Sequence, residues 1–430
     1  MKKISKKSAG IDIGAKKVFV FVEGGQVKSF LTFTEDLQSL LNYLLEENVE
    51  TVAMEATGSY WFILYELIEE SGIDVWLVDG RETKQVPGRK TDVKDCQWIQ
   101  ELHSHGLFKK CYVATHSIKE LRSYHRLRED HIRSASMHVN HMQKALIEMN
   151  IRLKEVISQI HGSSGIKIIE AIIKGERNRE VLLNMCDVRI IKNKRAEVLK
   201  ALQGKYTKSG LFALKQAFDA YLFYQQQIAA CDKEIERVLH SSGKGSKDED
   251  LPAKRKPIRH NKPQIKDLGA NMIDIFEGKD ATLVSGITDY SWLKLLAETG
   301  ADLTRWLSAK HFTSWLGLAP GQHWSGKKQR NRKKKGKPKA GQIFREIAQS
   351  MIESKHTAIG AFGRRIRSKK GPAIAIKAVA RKIAIQYYNV MVHGLDFVEQ
   401  GIKHYEKLLL ARKHKSLEKL ARELKMQVIV

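Results

Sequence analysis

The chain has 430 residues, enough for two or three domains of roughly 100–200 residues each, so it is not one small stapled module. Its 75 Lys and Arg against 48 Asp and Glu leave +27, which points to a polyanionic partner, nucleic acid first, rather than an acidic substrate pocket alone. With 42% hydrophobic residues it is no disordered tail, no stretch reaches the ~20 apolar residues of a membrane span, and its four scattered cysteines, without a C-x-x-C pair, speak against a zinc ribbon or a disulfide frame.

Strand signals come first. Gly10 to Gly14, Lys17 to Val22 and Val27 to Phe33 read as a three-strand meander, with a turn at Gly24-Gly25. Thr34 is expected to cap a helix whose apolar face is Leu37, Leu40, Leu41, Leu44 and Leu45. Strands at Thr51–Met54 and Ile73–Val78 flank a helix from Tyr60 to Glu70, and the order β-β-β-α-β-α-β-α is that of an RNase H-like α/β domain. A long basic helix is expected from Ile118 to Ile160, with further helices through 165–205. From Leu211 to Leu239 the spacing of Leu211, Leu214, Phe218, Tyr221, Ile228, Ile235 and Leu239 is heptad-like, broken by Gln225 and Asp232. A coiled-coil arm and a single bundle helix both fit. Ser241 to Gln264 holds three of the seven prolines and reads as a linker or mobile insertion. Helical segments then follow around Ser291–Glu298, Asp302–Leu307 and Ala340–Lys355, and from Pro372 to Lys425. The expected division is 1–150, 151–240, a basic linker at 241–265, and 266–430.

Four carboxylates fit that order. Asp12 interrupts a strand in which Ile11 and Ile13 would face the core, so its side chain leaves from the opposite face. Glu55 directly follows the strand Thr51–Met54, which neighbours the first strand in an RNase H-like sheet. Asp92 and Asp95 stand three apart on one helix face. Hard oxygen donors of this kind suit two Mg²⁺ ions about 4 Å apart that act on a phosphodiester. Alone, Asp92 and Asp95 could merely complement a helix dipole after a Thr91 cap. The combination in this strand order is what points to a metal site.

In the last third, Leu283 to Thr288, a helix, Gly300 and another helix make a helix-hairpin-helix outline, a device that offers helix N-termini to phosphates. Phe312 to Pro320 is an apolar run. Ser325-Gly326 then precedes a basic stretch from Lys327 to Lys339 that includes Lys328, Arg330, Arg332, Lys333, Lys334 and Lys335. A serine beside so much charge could attack a phosphate, although an ordinary Ser-Gly turn before a solvated loop has the same composition.

These residues resemble the DEDD transposases of the bridge-RNA-guided insertion-sequence family, relatives of the Piv-type DNA invertases. The family's G-x-D resembles Gly10-Ile11-Asp12, its E-A-T-G-x-Y resembles Glu55 to Tyr60, and its K-T-D-x-x-D-A resembles Lys90 to Cys96, with Cys96 in place of Ala. Its C-terminal G-I-G, F-x-S-W-x-G-L-x-P, S-G-K and K-x-G segments resemble Gly286 to Lys339, with Thr288 in place of the second hairpin glycine. The resemblance implies a RuvC-like N-terminal domain that binds Mg²⁺ through Asp12, Glu55, Asp92 and Asp95, a helical coiled-coil middle, and a mainly α C-terminal transposase domain. It also implies Ser325 as nucleophile, donor and target duplex DNA as substrates, and a structured guide RNA that selects them. Recombination of two duplexes makes a homodimer or homotetramer the expected assembly, in the cytoplasm of a prokaryote at the nucleoid. The competing readings are a Holliday-junction nuclease using metal-activated water and a non-enzymatic nucleic-acid-packaging protein.

Overall fold

A computed structural model describes residues 3–4, 7–56, 58–80, 92–243, 256–258, 260–320, 324–325, 328–329 and 338–394, with scattered helical positions between 407 and 423. Most of the expected linker, Thr91, residues 330–337 and most of the chain beyond 394 lie outside those residues. The chain divides into two compact units, Met1–Ala114 and Thr115–Val430.

The first unit is a five-stranded sheet with helices. Strands β1 (Ser8–Ile13), β2 (Lys17–Val22) and β3 (Lys28–Leu31) form the antiparallel meander, with Gly24 at φ +83° in the turn from β2 to β3. β4 (Thr51–Glu55) and β5 (Asp74–Val78) add parallel to β1, giving the order β3-β2-β1-β4-β5. Helices α1 (Thr34–Glu46) and α2 (Trp61–Glu70) cover one face, where Ile11, Ile13, Val52 and Met54 pack against Leu40, Leu44, Leu64 and Ile68. Thr34 is the first helical residue of α1 rather than its cap, a position taken by Phe33 with no side-chain cap bond. On the other face lies α3 (Asp92–Ser104), whose Ile99 is buried with Ala53, Val78 and Phe108. This mixed sheet is compatible with the RNase H-like order.

The second unit is helical and is organised by two long antiparallel helices, α4 (His116–Glu148) and α9 (Lys208–Ser242). Their partners run in opposite directions along the chain: Arg128 meets Asp232, and His138 stacks on Tyr224. The heptad-like stretch therefore pairs within one chain with α4 as a two-helix arm. α4 stops at Glu148, short of the expected Ile160, because Asn150 turns the backbone left-handed at φ +56°. At one end of the pair, α5 (Leu153–Val156), α6 (Ser163–Ile173), α7 (Arg179–Asn184) and α8 (Val188–Ala201) close a core containing Met142, Leu146, Ile168, Ile172 and Phe218.

At the other end, Leu121, Ile235 and Leu239 enter a larger core with α10 (Leu268–Ile275), α11 (Asp289–Thr299), α12 (Ala309–Trp315), α13 (Lys339–Glu353), α14 (Ala358–Lys370) and α15 (Pro372–His393). No helix forms at 302–307. The Asp302 carboxylate instead accepts from the Thr304 amide and hydroxyl at 2.8 and 2.6 Å, a local turn that competes with helix. α15 ends at Gly394 in the left-handed region, φ +59°. Among the described residues no helix is long and apolar enough to cross a membrane.

Between the two cores sits a buried ion pair. Arg128, 1% exposed, donates to Asp232 at 2.5 and 3.3 Å, to the Tyr290 hydroxyl at 2.6 Å and to the Asn261 carbonyl at 3.1 Å. Asp232 also accepts from the Gln264 amide at 3.0 Å. The polar break at Asp232 thus has its partner on the facing helix. Residues 261–264, expected within a linker, are fixed to the arm by these bonds, and the Lys256 ammonium donates to the Thr282 and Val284 carbonyls at 2.6 and 2.8 Å. Arg128→Met or Asp232→Leu alone should each cost roughly 3–5 kcal/mol by stranding a buried charge, whereas the double variant should recover most of the loss. Calorimetric unfolding of the single and double variants checks this.

Candidate active site

The glycine of Gly10-Ile11-Asp12 has a steric reason. A Cβ at Gly10 would overlap the Cys96 carbonyl oxygen and the Gln100 backbone, so the α3 backbone lies directly on β1. Gln100 reinforces the contact through a buried bond from Nε2 to the Ser8 hydroxyl at 3.0 Å. Because side chains alternate along a strand, Gly10 and Asp12 belong to the α3 face while Ile11 and Ile13 belong to the other. On β4, Ala53 and Glu55 share that α3 face by the same alternation.

The register brings the first two carboxylates level. Gly10 pairs with Ala53 and Ile11 with Met54, so the next positions along the two parallel strands are Asp12 and Glu55. Neighbouring strands lie about 4.8 Å apart, which sets the spacing of these same-face positions. Both residues are half-buried. Glu55 rests on Gly80, where any Cβ would overlap its Oε1. Gly80 therefore leaves room for that carboxylate, a role that sequence reading missed because the glycine lies outside every motif.

Asp95 is half-buried in the first turn of α3. Its neighbour Cys96 is wholly buried, and its thiol is pushed up to about 12, first by burial and then by the negative charges of Asp12 and Asp95. One thiol feels both carboxylates, which ties the helix carboxylate to the strand carboxylate. At that value Cys96 stays a neutral small group in the place of the family's alanine. Asp92 opens α3, but its side chain lies outside the described residues. Asp12, Glu55 and Asp95 are thus gathered on one face of the sheet, although among the described residues no group of three His, Cys, Asp or Glu is drawn tightly enough to hold a metal.

In the second unit, Trp324–Ser325 pairs antiparallel with Lys328–Gln329, so Ser325 ends a short strand immediately before the hairpin turn. Its side chain and those of Lys327, Lys328, Arg330, Arg332, Lys333, Lys334 and Lys335 lie outside the described residues. The helix-hairpin-helix expectation needs correction. Gly286 takes φ +86° as a turn requires, but the N-terminus of α11 is satisfied internally by a capping box between Thr288 and Ser291. Tyr290, Trp292, Leu293, Leu295 and Leu296 are buried around the helix, and Asp289 is 9% exposed. α11 is a core helix capped by Thr288, and the second helix of the outline does not form at 302–307. Sequence reading also missed Arg345, Lys377 and Arg381, cations spread over two helices with no motif to join them.

The comparisons agree with the geometry. The IS110-type DEDD model, described as Transposase, matches residues 9–151, spanning the sheet, α3 and α4. A second model, described as Transposase IS116/IS110/IS902 family, matches residues 282–363, which include Ser325. The two stretches together take in just over half of the chain. No curated protein matches it. With the DEDD sheet and the serine-bearing segment each matched in order, the chain belongs to the IS110 family of transposases, enzymes that cut and rejoin DNA.

Proposed function

We propose that this transposase cuts and rejoins DNA through a Mg²⁺ site formed by Asp12, Glu55, Asp92 and Asp95 and a covalent link to Ser325, at donor and target sequences chosen by a structured guide RNA. The observation that carries the metal reading is the level placement of Asp12 and Glu55 beneath the helix that bears Asp95. The donors are hard oxygens, which suits Mg²⁺ rather than a softer ion. Bound there, Mg²⁺ would polarise the phosphate and stabilise the leaving oxygen.

The chain's own residues have separate tasks. Asp12 and Glu55 are fixed by paired strands, and Gly80 leaves space for the Glu55 carboxylate. Ser325 Oγ forms the bond to phosphorus as the phosphorus bond to a sugar oxygen breaks, and the proton lost by serine is balanced by the one that sugar oxygen gains. The phosphoserine ester keeps the energy of the phosphodiester, so strands can be rejoined without an external source, which hydrolysis would forfeit. That favours recombination over a junction nuclease, and family membership sets aside the packaging reading. Lys327, Lys328, Arg330, Arg332, Lys333, Lys334 and Lys335 would hold the backbone without reading sequence. The guide RNA is supported by a net charge of +27 with no base-reading module. Two duplexes call for a homodimer or homotetramer.

Asp12→Asn, Glu55→Gln and Asp95→Asn should each abolish strand cleavage while leaving DNA binding near wild type. Ser325→Ala should give no protease-sensitive protein–DNA adduct on denaturing gels with labelled DNA, guide RNA and Mg²⁺; an adduct surviving in Ser325→Ala would remove that residue from the reaction. Gly80→Ala tests positioning separately. Its methyl group should displace the Glu55 carboxylate and lower the cleavage rate by about 10²-fold, with unfolding temperature and DNA binding little changed.

A further inference from the structure

Several cations that lie partly inside the second unit are paired with carboxylates. Arg126 donates to both oxygens of Glu298 at 2.9 and 2.8 Å, Arg128 is held by Asp232, and Lys294 lies 3.1 Å from Glu129. Three half-buried cations on α13 and α15 depart from this. Arg345 donates through Nη2 to the Gly317 carbonyl at 3.2 Å, while its Nη1 is buried with no hydrogen-bond partner. Lys377 and Arg381 stand one turn apart on α15, which packs against α13. Among the described residues no carboxylate pairs with any of the three.

Their surroundings sharpen the point. Burial, and then the charges of Arg345 and Arg381, hold the Lys377 ammonium below its ordinary value. Burial likewise lowers Arg345. Three like charges with part of their hydration removed and no counter-charge among the described residues are unfavourable, and an anion that enters relieves both costs. The place also matters. Gly317, at φ +66°, closes α12 and lies against Pro338, the residue before α13. Arg345 therefore grips the base of the segment that leaves after α12, carries Ser325 and returns at α13.

We propose that Arg345, Lys377 and Arg381 form a preorganised phosphodiester-binding site at the root of the Ser325 loop. Two guanidinium forks and an ammonium match the several acceptor oxygens of a nucleic-acid backbone better than a single carboxylate, and they carry no means of reading bases. The site deepens the reading of Ser325 as nucleophile, since it would hold backbone beside the loop that must reach it, but binding there does not require that reading to hold. The phosphodiester can come from duplex DNA or from structured RNA, which share the chemistry.

The test uses the full-length protein with two probes, a random-sequence 30-base-pair DNA duplex and an RNA hairpin, titrated by fluorescence anisotropy over a range of salt. Arg345→Gln/Lys377→Gln/Arg381→Gln should flatten the plot of log affinity against log salt by roughly 0.9 unit per lost duplex contact, or roughly 0.7 for single-stranded backbone. The single variants Lys377→Gln and Arg381→Gln should each lose about one contact with no fall in unfolding temperature, which keeps the test valid if the triple variant folds poorly. A change confined to the duplex assigns the site to DNA, and one confined to the hairpin assigns it to RNA. Unchanged slopes with both probes would overturn the proposal. Ser325→Ala, run in parallel, should keep the wild-type slope while failing to form adduct. A Ser325→Ala protein that still forms adduct would refute the nucleophile and leave the phosphate site standing.

Discussion

The first unit depends on one close approach, the backbone of α3 lying on β1 at Gly10. A glycine inside a strand ordinarily weakens it, with nothing to pack and more freedom to lose. Here it lets the backbone of α3 from Cys96 to Gln100 lie directly on the strand that carries Asp12. The small wholly buried Cys96 stands at the same contact. A bulky side chain at either position would lift the helix end that carries Asp95 away from the sheet. The placement of α3 over the face that carries Asp12 is thus set by two small residues.

The second unit solves a different problem, holding two cores at opposite ends of one helical pair. The α4–α9 arm is apolar at both ends, and its centre carries the Arg128–Asp232 pair with Tyr290 and the carbonyl of Asn261. Apolar packing alone tolerates sliding of one helix along the other. A buried pair with a single satisfying partner does not, so the pair is suited to fixing the register of the arm. It also ties α11 and the end of the expected linker to the same point, through Tyr290 and Gln264.

Much of this was legible in the sequence because the signals were local. β-branched runs, the Gly24-Gly25 turn and the alternation around Asp12 gave the strand order, and that order predicted which carboxylates would be neighbours. The failures are equally physical. α14 went unread because its closest packing is made by a glycine, Gly363 against Ile352 and Val379, and only Ile359, Phe362 and Ile366 give it an apolar stripe. The hairpin outline misled because a glycine turn before a helix looks alike whether the helix end meets a phosphate or is capped by its own Thr288. Gly80, Arg345, Lys377 and Arg381 are tertiary facts, since each takes its meaning from a residue remote in the chain.

The central claim is that Asp12, Glu55 and the first turn of α3 converge on one divalent-cation site. Iron-directed backbone cleavage tests it without relying on recombination: Fe²⁺ replaces Mg²⁺, ascorbate and peroxide generate hydroxyl radicals at the bound ion, and the fragments are mapped by mass spectrometry. The predicted cuts cluster around residues 12, 55 and 92–95, are suppressed by excess Mg²⁺ and disappear in Asp12→Asn. Cuts at only one of these segments, or a pattern unchanged in Asp12→Asn, would contradict the account.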